Sequence, residues 1–325
     1  MKVCIYGAGA IGGYVGGKLA AIGCDVSAVA RDRTLAALRQ HGLRIREADE
    51  VWRADIVATD DPAQLGAQDL VVIAVKAPAL ASVAEGIGPL LGPHTTALVA
   101  MNGVPWWFFD GFGERYAGTT LRSVDPEGRI AAAIPTRHVL GSVVHMSASV
   151  AEPGLVRHGM GRRLILGEPS GASTDRLRAL TDLFTRAGFE IETSASIQRD
   201  IWYKLWGNMT MNPLSALTGA TADRILDDPL VRKFCIDAMA EAQEIGARIG
   251  CPIEQTGEER MVVTRKLGAF RTSMLQDVEA GRPIELDAIV AVVHELGKLT
   301  GVATPNIDAL LGVTRVFART RGLYS

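Results

Sequence analysis

The chain opens with Lys2-Val3-Cys4-Ile5-Tyr6-Gly7-Ala8-Gly9-Ala10-Ile11-Gly12-Gly13. The first five residues read as a short buried strand. Gly7-x-Gly9-x-x-Gly12 follows, and a helix-like run continues to about residue 22. In this order each glycine has a separate task. The first permits a tight turn, the second lets the backbone approach a pyrophosphate, and the third allows close packing of helix on strand. The helix N-terminus then offers free N–H groups and a positive dipole end to phosphates. Gly7, Ala8, Gly9, Ala10, Ile11 and Gly12 are therefore candidate cofactor contacts. The plain alternative is a structural turn that binds nothing. The loop's position at the head of an alternating α/β pattern favours the binder.

Outward from this loop, residues 25–30 read as a second strand and 32–40 as a helix, with Asp32 suited to the N-cap. Residues 42–58 have the texture of a hairpin or meander. Residues 69–75 are a continuous apolar run, as in a strand covered on both faces. A helix over 79–91 and a strand over 96–101 extend the alternation, which implies a parallel, doubly wound sheet. Short β-type runs at 139–144 and 163–167 are expected to join the same sheet. A helix at 174–187 and a last strand at 190–193 follow. From about 197 the pattern is helical: 198–211, 228–250, 255–278, 283–300, and a final helix after Pro305. The expected fold class is α/β, with a Rossmann-type doubly wound sheet in residues 1–195 and an all-α domain in 196–325.

Composition narrows the function classes. A formal charge of -2 with scattered basic residues gives no footprint for nucleic acid. No apolar run reaches the roughly 18 residues needed to span a bilayer, and no signal-peptide pattern opens the chain. Neither a membrane nor a nucleic-acid partner is expected, and the cytoplasm is the default location. Cys4, Cys24, Cys235 and Cys251 have no metal-type spacing. No metal is expected, and the cysteines suit a reducing compartment.

The end of the second strand bears on the choice of cofactor. An acid there holds the ribose 2′-hydroxyl of NAD. This chain has Arg31 instead, in Val29-Ala30-Arg31-Asp32-Arg33, and a guanidinium suits a 2′-phosphate. NADP, as NADPH, is the expected cofactor. Asp32 could still serve as the ribose acid, which keeps NAD open. Arg31 could also be a surface charge paired with Asp32.

The most telling stretch for chemistry is Trp202-Tyr203-Lys204-Leu205-Trp206-Gly207-Asn208-Met209-Thr210-Met211-Asn212-Pro213-Leu214. On a helix, Lys204, Asn208 and Asn212 recur every four residues and form one stripe. A cation and two amides among aromatic and apolar neighbours can hold a small polar substrate and give it a proton. Taken singly, Lys204 reads as a lysine snorkelling from an amphipathic helix. Asn212 reads as a helix end, since the residue before proline avoids α geometry. As a stripe they favour a site, given the cost of burying unpaired polar groups.

This run, Lys-Leu-x-x-Asn-x-x-x-Asn-Pro-Leu, resembles the signature of the ketopantoate reductases (2-dehydropantoate 2-reductases). Met101-Asn102-Gly103 is similar to the family's Asn-Gly after a sheet strand, and Ala74-Val75-Lys76-Ala77 to its strand-ending lysine. Thr272-Ser273-Met274 is similar to its serine motif, and Glu285-Leu286-Asp287 to its Glu-x-Asp. The matches run from Gly7 to about Asp287. The resemblance implies an NADP-dependent oxidoreductase acting on CH–OH, which reduces a 2-keto acid to a 2-hydroxy acid. Ketopantoate to pantoate, a step of pantothenate biosynthesis, is the foremost case. By that analogy Lys204 gives the proton, and Glu285 orients the lysine or the cofactor. Asn208, Asn212 and Ser273 hold the substrate. Asn102, which is also a substrate contact, and Lys76 sit between substrate and cofactor. A lowered pKa for an ammonium in an apolar cleft would suit the acid.

Each weaker match has a bland counterpart. Pro283 suits a helix's first turn, where an acid such as Glu285 simply favours the dipole. Lys76 could be a strand-end surface charge, and Ser273 a helix residue bonded to its own backbone. The sequence also departs from the family twice. Glu285-x-Asp287 is followed by Ala288-Ile289-Val290-Ala291, without the usual nearby Asn-Gly. Asn102-Gly103 is followed by Val104-Pro105-Trp106-Trp107-Phe108-Phe109. Those aromatics either narrow the pocket mouth or, as aromatic clusters in a core or interface do, plug the domain interface or support an oligomer contact, a homodimer being the oligomer allowed for. Two rivals stay open: an enzyme for a different 2-keto or 2-hydroxy acid, and a non-enzymatic NADP-binding sensor. A sensor needs no proton donor, so the stripe speaks against it.

Overall fold

The computed structural model describes all 325 residues. It divides into two compact units. The first comprises Met1–Met101 and Gly128–Ile197, the second Asn102–Glu127 and Gln198–Ser325. The boundary expected at 195/196 thus falls two residues later, and the segment 102–127 belongs with the helical part rather than with the sheet.

The first unit begins with β1 (Lys2–Tyr6), α1 (Ala10–Ala21), β2 (Asp25–Val29), α2 (Asp32–His41), β3 (Leu43–Glu47), β4 (Glu50–Ala54), β5 (Val57–Thr59) and β6 (Gln68–Ile73). It continues with α3 (Leu80–Gly86), β7 (Leu91–Val99), α4 (Arg129–Ala133), β8 (Val139–His145), β9 (Ala148–Glu152), β10 (Leu155–His158), β11 (Arg163–Gly167), α5 (Asp175–Arg186) and β12 (Glu190–Thr193). Eight strands form the main sheet in the order β12-β11-β8-β7-β6-β1-β2-β5. It is parallel except where β11 runs against β8. β1 lies between β2 and β6, with Val3, Cys4 and Ile5 shielded from solvent, as a strand covered on both faces requires. The chain steps from β1 to one side and later returns on the other. The crevice past the carboxyl ends of β1 and β6 is therefore the topological switch point, where such sheets take ligands.

The expected strands at 139–144 and 163–167 join this sheet. β9 and β10 do not: with β3 and β4 they form a separate four-stranded sheet, β4-β3-β10-β9. The expected hairpin is its β3–β4 pair, in which Ile45 faces Trp52. Helix α1 explains why two sheets share this unit. A Cβ at Gly16 would lie 2.7 Å from Ile5 of the main sheet, and one at Gly17 2.6 Å from Ile45 of the second. Small residues let one helix pack closely on both.

The second unit carries α6 (Ile197–Thr218, which starts at the last residue of the first unit), α7 (Ala222–Asp227), α8 (Pro229–Arg248), α9 (Gly257–Arg265) and α10 (Ser273–Glu279). A π-helical turn at Asp287–Ala291 leads into α11 (Val292–Thr300), and α12 (Pro305–Thr320) follows. Three expectations change here. The helix read over 255–278 is two, parted around Gly268, whose φ is +62°, and restarted by Thr272, whose side chain caps the Leu275 N–H. The helix expected from 283 begins only after Glu285, so neither Pro283 nor Glu285 lies in a first helical turn. Asn212 does not end its helix, because α6 continues through Pro213. A proline removes one N–H donor, and α6 is buried along Trp202, Leu205, Trp206, Met209, Met211 and Ala216, so packing outweighs that loss. No helix is long and apolar enough to cross a membrane.

Candidate active site

In the first unit the glycine loop has three unlike glycines. Gly7 has φ +99°, the left-handed region, and a Cβ there would lie 2.7 Å from Val75 Cγ1 and 3.0 Å from the Ala74 carbonyl oxygen. Gly12 is tighter still: a Cβ would lie 2.1 Å from the Gly7 carbonyl oxygen and 2.9 Å from Ala74 Cβ. A Cβ on Gly9 would meet no atom within 4 Å. So Gly7 and Gly12 are glycine for the protein's own packing, while Gly9 borders open space. Gly9 is the N-cap of α1, and no side chain caps that helix or places an acid in its first turn. The N–H groups of Ala10 and Ile11 are thus presented without a side-chain competitor. This cradle fits the pyrophosphate of a dinucleotide.

Lys76 follows two residues after Ala74, the residue packed on Gly7 and Gly12, and is exposed. Arg31 lies just past β2, exposed, and its Nη2 donates to Ser82 Oγ at 2.5 Å. Its partner is therefore Ser82, not Asp32, and the surface-pair reading falls away. Burial raises the Tyr6 hydroxyl's pKa, and the Arg31 charge opposes that rise. Arg31 thus lies near the end of β1 as well. Asp32 is exposed and carries an unusual φ of +48°.

In the second unit Lys204 is part-buried on α6, and its Nζ donates to Asn102 Oδ1 at 2.9 Å. Burial pulls its pKa down to about 8, against which the Glu285 carboxylate pushes it up. Glu285 is 5% exposed, so a carboxylate and an ammonium share a secluded setting. Asn208 is part-buried and Asn212 buried one and two turns along the same helix. Against the snorkelling alternative, the Lys204 ammonium is turned to Asn102 rather than out to water, while the neighbouring Tyr203 is exposed and bonds to Gln255 at 2.8 Å.

Asn102 is set by backbone packing. Gly103 has φ +87°, and a Cβ there would lie 2.3 Å from the Ala288 carbonyl oxygen and 2.7 Å from Ala288 Cβ. The Val104 N–H donates to that same carbonyl at 3.0 Å. Ala288 belongs to the π-helical turn that begins two residues after Glu285. Lys204, Asn102 and Glu285 are thus joined through one short frame. π-Helical turns recur at functional sites. Sequence reasoning missed Ala288; a glycine directly after Asn102 was the available signal for a close approach.

Ser273 is part-buried at the start of α10, where Thr272 is the cap, and no hydrogen bond ties Ser273 to Lys204. The departing runs are both interior. Ala288, Ile289, Val290 and Ala291 are buried and supply no polar side chain. Trp106, Trp107, Phe108 and Phe109 are each 4% exposed or less. Phe108 meets Phe109 edge-on at 5.1 Å between centroids and Phe112 at 5.9 Å. This run is core and offers no face to an oligomer partner.

Comparison with known proteins gives a consistent result. Residues 3–171 match the family described as ketopantoate reductase PanE/ApbA, and residues 196–318 match its C-terminal part. A 2-dehydropantoate 2-reductase of Mesorhizobium japonicum is 45% identical over 100% of both chains. A structure from Ralstonia solanacearum MolK2, provisionally named a ketopantoate reductase, is 60% identical with a TM-score of 0.96 and covers 99% of each chain. The fold is shared more widely. D-mandelate dehydrogenase, solved with NADH and anilino(oxo)acetate, superposes with a TM-score of 0.86 at 21% identity, covering 99% of this chain and 100% of that one.

Proposed function

The chain belongs to the ketopantoate reductase family, and from that membership we propose that it is an oxidoreductase reducing 2-dehydropantoate to pantoate with NADPH. The observation that carries this is Lys204: an ammonium held by Asn102 at 2.9 Å, brought to a pKa of about 8 by burial and kept charged by Glu285. When bound, the reduced nicotinamide supplies a hydride to the keto carbon.

The chain's residues do the rest. Lys204 donates to the keto oxygen, and its positive charge stabilises the oxygen as electrons shift onto it. Its Nζ proton then passes to that oxygen, which completes the hydroxyl and leaves a neutral amine. A pKa of about 8 suits this transfer, since an acid poised near the working pH gives up its proton most readily while still being protonated. Asn102 accepts from the ammonium and aims it. Asn208, Asn212 and Ser273 are assigned to the substrate's carboxylate and hydroxyl groups. Gly7 to Gly12 hold the pyrophosphate, Lys76 adds a cation at the end of β6, and Arg31 takes the 2′-phosphate that distinguishes NADPH from NADH.

A different 2-keto acid is the second reading, favoured by the apolar run Ala288-Ile289-Val290-Ala291, where the family has an amide. One experiment addresses both: a panel of 2-keto acids assayed with NADPH and with NADH. The expected result is the highest kcat/KM for 2-dehydropantoate with NADPH. Equal or faster turnover of a bulkier or smaller keto acid would sink the first reading in favour of the second.

A further inference from the structure

Glu285 lies in a stretch without regular structure, 282–285, between α10 and the π-helical turn. Its backbone is therefore not set by helix hydrogen bonds. Arg282 holds the near end, its N–H donating to the Asp277 carbonyl at 2.8 Å and its Nε to the Asp277 carboxylate at 3.1 Å. Closer to Glu285, both flanks are tied to one short segment beyond α12. The Ile284 N–H donates to the Leu323 carbonyl at 3.0 Å. The Tyr324 hydroxyl donates to Asp287 Oδ1 at 2.5 Å. That segment is itself anchored: Leu323 is buried and its N–H donates to the Ala318 carbonyl at 2.9 Å. The Arg319 guanidinium covers the Tyr324 ring, 5.5 Å from its centroid.

We propose that Leu323 and Tyr324 form a clasp that holds Glu285 at Lys204, which makes Tyr324 a positioning residue for the proton transfer. The proposal rests on the reading of Lys204 as the acid. Its physics is the distance dependence of charge interaction. Burial favours the neutral amine, and the nearby carboxylate opposes it. A displaced carboxylate opposes it less, so the ammonium sheds its proton at lower pH. The groups facing Tyr324 are Asp287, Arg315 and Arg319. Burial and the Asp287 carboxylate raise the pKa of its hydroxyl, with the two arginines opposing, so it stays a donor through the working pH range. Asn102 accepts from Lys204, and the Glu285 carboxylate acts on its charge.

The test is Tyr324→Phe, which keeps the ring under Arg319 and removes only the hydroxyl. Two quantities are measured: kcat/KM for keto-acid reduction against pH, and hydrogen–deuterium exchange over residues 282–290. The alkaline limb of the profile should move down by about 1 pH unit, on the scale of a nearby opposite charge. Exchange over 282–290 should quicken, and the KM for NADPH should stay unchanged. A chain ending at Gly322 loses both ties and should move the limb at least as far. An alkaline limb that stays in place in Tyr324→Phe overturns the proposal, even if exchange quickens, because the tie is then structural only. A wild-type profile with no alkaline limb refutes the reading of Lys204 instead. That failure appears before any variant is made, so the two are distinct.

Discussion

The Gly7–Gly12 loop and the surroundings of Lys204 are built by opposite means. The loop is one continuous stretch, and the residues it packs on are those of its own strand and of Ala74 and Val75 beside it. The groups it is proposed to bind with are backbone N–H groups, so their placement follows from where the chain can turn. Lys204 is set by side chains and carbonyls from segments remote in sequence: Asn102, Glu285 and, through Gly103, Ala288. The contrast is between a site whose specificity lies in the absence of side chains and one that depends on the placement of a single side chain.

That contrast is broken first at Lys204. Lys204→Ala should lower kcat by at least about 10²-fold, the low end for loss of a general acid, with NADPH affinity nearly unchanged. Near-normal turnover measured under saturating cofactor would refute its role. On the same reading, this group should set the pH dependence of the unmodified protein. With Lys204 read as the acid, the ammonium form is the active one for reduction, and burial lowers its pKa to about 8. Reduction should therefore be full below that pH and fall as pH rises through it, while the reverse oxidation, which needs the neutral amine, should rise.

The loop sharpens the comparison from the other side. Gly12→Ala drives a Cβ to 2.1 Å from the Gly7 carbonyl oxygen, and α1 must shift off β1. Overpacking of this kind costs about 1–3 kcal/mol, so the melting temperature and NADPH binding should fall together. Gly9→Ala meets nothing in the protein, and its φ of -79° suits alanine. Its stability should stay within about 0.5 kcal/mol of the parent while NADPH binding weakens about tenfold, as expected if the added methyl meets only the cofactor. Thermal melting and cofactor titration of both variants decide this. A destabilised Gly9→Ala would mean that its open space serves the fold.

The same contrast explains what could be read in advance. The strand-loop-helix opening was legible because the three spaced glycines stand at the head of an alternating strand and helix pattern. That Lys204, Asn208 and Asn212 share one helix was legible from their four-residue period among apolar neighbours. The Ala288 contact was not, because a carbonyl carries no residue-type signature. The second sheet was missed because strands 148–152 and 155–158 look like those that join the main sheet, and only α1's paired glycine faces show that two sheets flank it. Pro213 misled because local preference is a weak prior against burial on several sides. The aromatic run 106–109 reads equally as pocket rim or core, and only its burial tells them apart.

Arg31 gives the most selective effect. Its guanidinium is exposed but not loose, since Ser82 Oγ accepts from Nη2 at 2.5 Å. A cation held in place loses less entropy when it meets a phosphate. Arg31→Ala should therefore weaken NADPH about tenfold, the scale of one exposed charge-assisted contact, and NADH less than about twofold. Fluorescence titration with both cofactors measures the ratio directly. Equal loss for the two would deny Arg31 the 2′-phosphate and shift attention to Asp32, exposed one residue on with φ +48°. Asp32→Ala would then have to cost NADH more than NADPH, because only an unphosphorylated ribose offers a 2′-hydroxyl to a carboxylate.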